Sequence, residues 1–292
     1  MKYQIKHVTT YQYNEKVSLS QNHARLTPQT NQYQRCLSHQ LEIMPNADYL
    51  VYFQDYFNNQ VSVFEVPTMH EQMVVTASSE VEILPLPQTL ADPQVTWEQT
   101  RDQLQQPVNL ASLQAAEFCL PTFATQPNAE LRNYAFQSFV PGRSIVAGCE
   151  DLMARIFNEF TFDPEFSTTN TPVSEVFEHK RGVCQDFAHL ALSCLRSLGL
   201  AARYVSGYIE TLPPPGQEKL EGADATHAWI ALYVPDWGWL DFDPTNNLQP
   251  TEQHVTLAIG RDFWDVTPLK GIMFGGGSHQ LQVAVDMKRV VD

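Results

Sequence analysis

Cys184, His227 and Asp243 have the types and the spacing for nucleophilic chemistry. Cys184 lies in Arg181-Gly182-Val183-Cys184-Gln185-Asp186-Phe187-Ala188-His189-Leu190. Apolar residues then fall at Phe187, Leu190, Ala191, Cys194, Leu195 and Leu198, the rhythm of one buried helix face. Gly199 supplies a stop and Gly182 a tight approach. The expectation is a cysteine at the first turn of a helix, where unpaired N–H groups favour a thiolate. An ordinary thiol, with a pKa of about 8.5, is mostly protonated at neutral pH, and a nearby imidazolium adds to the helix effect.

The imidazole is predicted from a hairpin. His227-Ala228-Trp229-Ile230-Ala231-Leu232-Tyr233-Val234 reads as a strand, Pro235-Asp236-Trp237-Gly238 as a turn, and Trp239-Leu240-Asp241-Phe242-Asp243 as the return strand, closed by Pro244. Residues at the open ends of such a pair lie side by side, with Cβ atoms about 5 Å apart. Asp243, level with His227 on this reading, is preferred over Asp241, which shares its strand face and would support it from behind. The carboxylate fixes one ring nitrogen, and the other takes the thiol proton if the helix start packs against that end. His189, about 140° around the helix from Cys184, is expected to make a buried hydrogen bond and not to act as the base.

These elements sit in a chain that changes character along its length. Residues 1–84 read as short strands: alternation from Tyr3 to Tyr13 and from Leu37 to Ile43, a hairpin over Tyr49–Val66 broken at Asn58-Asn59, and a strand from Met73 to Leu84. They predict an N-terminal β-sandwich domain. His7, His23, His39 and His70 are taken as packing or surface residues. Residues 85–127, rich in Pro and Gln, read as a connector with one short helix near Leu110–Phe118. A second domain, 128–292, opens with helices over Ala129–Phe139, after Ser144, and after Thr171-Pro172. Beyond the cysteine helix, Ala202–Ile209 alternates like a strand, Thr211–Ala225 reads as a loop bordering a cleft, and more strands follow Val255.

Composition narrows the function. The 292 residues carry a formal charge of −15, which excludes a basic nucleic-acid surface or attraction to an anionic membrane. The cysteines at 36, 119, 149, 184 and 194 form no metal-binding pair and no disulfide pattern, so a reducing, cytoplasmic setting without a metal or other cofactor is expected. No signal-peptide core opens the chain and no apolar run approaches a membrane span.

Several segments together resemble the bacterial transglutaminase-like superfamily, whose members are often described as candidate cysteine proteases. They are Gly182-Val183-Cys184-Gln185-Asp186-Phe187-Ala188-His189, Ala202-Arg203-Tyr204-Val205-Ser206-Gly207-Tyr208, His227-Ala228-Trp229 and Asp241-Phe242-Asp243-Pro244-Thr245-Asn246. His7-Val8-Thr9-Thr10-Tyr11-Gln12-Tyr13 is similar to the β-rich domain that opens such proteins, and Gly260-Arg261-Asp262-Phe263-Trp264-Asp265-Val266-Thr267-Pro268 matches near the end. Ala201 stands where relatives usually have proline. The resemblance implies an α+β fold with a papain-like core, helices packed on an antiparallel sheet, and a Cys184–His227–Asp243 triad.

The chemistry expected is amide acyl transfer through a thioester. Water as acceptor makes a peptidase or amidase and an amine makes a transglutaminase; the residues do not choose, and hydrolysis is favoured because water is always present. Gln185 is a candidate oxyanion donor beside the Cys184 N–H. Tyr208, Trp229 and Trp239 are candidates for an acyl pocket, although strand aromatics are commonly core. A peptide or protein substrate is implied, and the N-terminal domain is a candidate docking site for a partner protein. The rivals are a non-catalytic peptide-binding module and a metal hydrolase, the latter without an H-E-x-x-H pair.

Overall fold

Strand β1 (Lys2–Ala24) organises the N-terminal half. The computed structural model describes residues 1–85, 94–211, 224–250 and 252–290. Along β1 the inward face holds Tyr3, Ile5, His7 and Thr9, the alternation of a half-buried strand. Near Val17 the register slips, and the buried positions become Ser20, Asn22 and Ala24. That bulge lets one strand serve two sets of neighbours. It joins β2 (Gln34–Met44), β3 (Tyr49–Gln54), β4 (Gln60–Val66) and β5 (His70–Ile83) in the order β2-β5-β1-β4-β3. The predicted hairpin is β3–β4, turned at Asn58, whose φ is 62°. Tyr13 and Val17 of β1 share one core with Phe64 of β4 and Met73 of β5, so strands on both sides of β1 in this single sheet bury a common cluster.

Residues 94–127 are not a plain connector. They form α1 (Trp97–Gln105) and α2 (Leu110–Ala116), capped by Thr96 and Asn109. The single short helix expected there is thus the second of two. The first was hidden by its Gln-rich surface, while Trp97 and Leu104 bury its inner face. Arg196 fixes this segment from below, donating to the carbonyls of Phe118, Ala202 and Arg261.

The core follows. Helices α3 (Ala129–Ser138) and α4 (Ile145–Glu159) lead to the short strand β6 (Thr161–Phe162), α5 (Val173–His179) and β7 (Arg181–Gly182). Then come α6 (Cys184–Ser197), β8 (Ala202–Ile209), β9 (Ala225–Val234), β10 (Gly238–Phe242) and β11 (His254–Gly260). The last four make an antiparallel sheet in the order β10-β9-β8-β11. α6 packs on the face bearing Tyr204, Ile230 and Leu232 and is buried on nearly all sides. Helix α5 starts one residue later than predicted, with Pro172 as its cap.

After α7 (Phe263–Val266), the chain returns to the first sheet. β12 (Leu269–Gly275) and β13 (His279–Val290) both pair antiparallel with β1. The division expected at residues 84 and 128 is therefore not a division of the sheet, whose last strands come from the C-terminal end. Period-2 patterning shows that a strand exists but not which edge it joins.

Side-chain amides tie the two halves together. Gln34 Oε1 accepts from Thr256 N–H at 2.8 Å and its Nε2 donates to Thr256 C=O at 2.7 Å. Asn59 does the same to Ile259, with both bonds at 2.8 Å. Both amides are buried, and they pair the outer edge of β11, which would otherwise be open. Glu210 accepts from Tyr3 and, through both oxygens, from Arg289. Among the described residues no helix is long and apolar enough to cross a membrane.

Candidate catalytic site

Cys184 occupies the first position of α6, half-buried, after the extended residue Val183. The helix start is held by Asp186, three residues on, whose carboxylate accepts from Val183 N–H at 2.8 Å and from Ser167. Burial pushes the Asp186 carboxyl up, and these two bonds resist the shift. Gly182 is required here: a Cβ would lie 2.8 Å from the Asp186 carboxylate. The N–H groups of this first turn point out of the helix and suit a developing oxyanion.

His227 lies near the start of β9, opposite Gly207 of β8, and is buried. Its Nε2 is 2.7 Å from Asp243 Oδ2. The β9–β10 ladder ends with Phe242 opposite Ile230, so its continuation sets Asp243 opposite Trp229 and not opposite His227. The expectation that the two residues lie level is corrected by this register: they are diagonal neighbours on one face, which their side chains can span. Asp243 leaves the ladder and bridges to Leu248, donating to its carbonyl at 2.9 Å. Its Oδ1 accepts from Thr245 N–H at 3.0 Å and Asn246 N–H at 3.3 Å, an Asx-type turn that fixes the carboxylate.

The electrostatics follow from burial against pairing. Burial works to lower the His227 pKa, but hydrogen bonding to Asp243 and Cys184 and the charges of both raise it to about 10. Burial likewise opposes ionisation of Asp243, and bonds from His227, His254 and Asn246 hold it well below the usual carboxylate range. The imidazole is thus bonded through Nε2 to a fixed carboxylate, and Cys184 is among the groups that hold its proton. This arrangement can store a proton on the ring, deliver it to a leaving group and recover it.

Two residues around Asp243 were not singled out from the sequence. Asn246 Nδ2 donates to Asp243 Oδ2 at 2.7 Å. Its signal was legible in the turn Asp243-Pro244-Thr245-Asn246. His254 Nε2 lies 3.3 Å from the same oxygen. It comes from β11, across the sheet, and no local spacing announces it. His227, Asp243 and His254 bring one possible metal-ligand atom each within 4.8 Å of one another. Hydrogen bonding to the shared Asp243 Oδ2 accounts for that spacing.

The remaining candidates are dispersed. Gln185 turns its amide to the Thr169 carbonyl at 3.3 Å, so its side chain is engaged away from an oxyanion position. Tyr208 is fully buried and bonds His7 Nδ1 at 2.9 Å, and Trp229 is fully buried on the opposite face of the sheet from α6. Neither lines an open acyl pocket: both fill the core, as strand aromatics commonly do. Trp239 is half-buried and borders a cavity with Asp241. Asp241 carries no bond to His227; burial raises its pKa, opposed first by the Arg203 charge. His189 is buried and accepts from Phe263 N–H at 3.2 Å. The loop predicted over Thr211–Ala225 lies mostly outside the described residues. Its two ends are joined by the bond from Thr211 N–H to Asp224 at 2.7 Å.

Comparison with known proteins shows the family of the sequence. The bacterial transglutaminase-like N-terminal region matches residues 3–82, and the transglutaminase-like superfamily matches residues 142–244. An uncharacterized protein of Mycobacterium tuberculosis is 37% identical over 98% of this chain and 92% of its own length. A protein-glutamine gamma-glutamyltransferase of Pseudomonas aeruginosa is 31% identical over 121 residues, 38% of this chain and 18% of that protein. In fold, the chain is similar to a protein of Cytophaga hutchinsonii described as a candidate cysteine protease, with a TM-score of 0.75, 20% identity, and 100% and 92% of the two chains covered. By sequence over both regions, this chain belongs to the transglutaminase-like superfamily, with the bacterial transglutaminase-like N-terminal region ahead of its core.

Proposed function

We propose that the protein is a thiol-dependent acyl-transfer enzyme that cleaves peptide or carboxamide bonds through a thioester on Cys184, with water as the acceptor. The observation that carries this reading is the buried 2.7 Å contact between His227 Nε2 and Asp243 Oδ2. A protonated His227 is the counter-ion that a Cys184 thiolate needs. The sulfur adds to the carbonyl carbon, and N–H groups of the first turn of α6 hold the oxyanion. His227 gives its proton to the departing amine as the C–N bond breaks. The neutral ring then takes a proton from water as the water oxygen adds to the thioester. The C–S bond breaks, a carboxylic acid leaves, and the thiolate–imidazolium pair is restored.

An amine in place of water would make the protein a glutamine-directed transferase, the activity named for the Pseudomonas aeruginosa relative over its short matching segment. One experiment separates the readings. Wild type and Cys184→Ala are incubated with a lysate and a labelled amine, and products are read by mass spectrometry. Cleaved ends or deamidated glutamines present only with wild type support hydrolysis, and amine adducts support transfer. A second experiment tests the thiolate: if iodoacetamide at pH 6 modifies Cys184 no faster than the other cysteines, the activated nucleophile is wrong.

A further inference from the structure

Outside the candidate catalytic site, a cavity of about 690 Å³ lies between the segment after β1 and the sheet face turned away from α6. Its walls are set by the amide clamps: Gln34 on Thr256, Asn59 on Ile259, and Gln29, which donates to Asn59 Oδ1 at 2.7 Å. Into it projects Arg203, whose guanidinium carbon lies 4.6 Å from the centroid of the Trp239 ring. Stacking of this kind leaves the in-plane N–H groups of the guanidinium free to donate. Arg203 Nε is buried and has no hydrogen-bond partner among the described residues. Asp241 borders the same cavity, and its charge acts on Arg203 without an ion pair forming between them. The rest of the half-buried side chain lines the cavity and makes no hydrogen bond among the described residues, and because donors out of bulk water are normally paired, the guanidinium calls for an acceptor.

We propose that this cavity is a ligand site for an organic carboxylate, held by the Arg203 guanidinium and carried on an apolar or aromatic body. The planar fork of arginine matches the two oxygens of a carboxylate. Asp241 opposes a second negative charge, which selects a monoanion over a phosphate. Tyr33, Trp237 and Trp239 offer aromatic surface to the remainder. Cys184, His227 and Asp243 do not line the cavity, so occupancy does not require turnover. The carboxylate could belong to a free acid or to the C-terminal residue of a peptide.

The full chain is titrated with N-acetylphenylalanine, with its amide, and with a tetrapeptide ending in phenylalanine as the free acid or the amide. Tryptophan fluorescence and the melting temperature are followed. The acid forms are expected to bind at least tenfold more tightly than the amides, equally in Cys184→Ala. Arg203→Gln is expected to abolish the difference and Asp241→Asn to tighten acid binding. A free peptide acid that binds tighter than N-acetylphenylalanine identifies a chain end as the ligand; the reverse identifies a small acid. Equal affinity of wild type for acid and amide, or no binding of either at millimolar concentration, overturns the proposal. The acid–amide comparison on wild type decides even if Arg203→Gln fails to fold. Because no turnover is read, failure here leaves the acyl-transfer reading intact.

Discussion

Asp243 Oδ2 stands 2.7 Å from His227 Nε2 although the β9–β10 ladder sets the two residues on a diagonal. The contact is made because Asp243 is the first residue past the ladder and is locked by its own turn. Asp241, two residues earlier on the same face, is opposite Ala231 and out of reach of the imidazole. Asp243→Asn is therefore expected to lower turnover roughly a thousand-fold or more, since an amide no longer enforces the ring tautomer or steadies the imidazolium. Asp241→Asn is expected to cost far less. Steady-state rates of the two variants on one peptide substrate decide the matter, and a larger loss in Asp241→Asn would reassign the third member.

Cys184→Ala tests the nucleophile. The side chain is half-buried at a helix start, and its loss removes one small atom from the edge of the core. Turnover is expected to vanish while stability changes by no more than about 1 kcal/mol. Denaturant melts measured beside the activity assay check both, and wild-type rates from this variant would end the proposal.

Stability should depend on pH in two opposite directions. The His227 pKa rises from 6.5 to about 10 in the folded chain, so its pairing stabilises fully below pH 6.5 and is lost as pH climbs toward 10. Burial lowers His7 to about 4 and His189 to about 3, so the unfolded chain binds protons first as pH falls below 6.5. Stability from these two is lost on acidification through that window. Melting temperatures across pH 4–10 should fall at both ends. His227→Gln should flatten the alkaline limb and His189→Gln the acid limb; an unchanged limb in either variant counts against the assignment.

Asn59→Ala tests the clamp between the two sheets. The wild-type amide pairs both polar groups of Ile259 at 2.8 Å in a fully buried position. Its removal strands a buried donor and a buried acceptor, each costing about 1–3 kcal/mol. Chemical denaturation should show a loss of that order. A loss below about 0.5 kcal/mol, the range of ordinary surface substitutions, would show that water replaces the amide readily.

By itself the sequence determined the local elements that carry the chemistry. The apolar stripe after Cys184 and Gly199 bounded α6, and the alternation around His227 and Trp239 produced β9 and β10. Their periodicities are local properties, set by which side chains each element must bury. The Asx-type turn at Asp243 is equally local. Only the tertiary structure decided how far those elements are offset and what meets them from elsewhere. The ladder register, the arrival of His254 from β11, the engagement of Tyr208 by His7 and the return of β12 and β13 to β1 all depend on pairings between distant segments. Such pairings are chosen by total burial and backbone hydrogen bonding across the molecule, and a strand carries no mark of its partner's number.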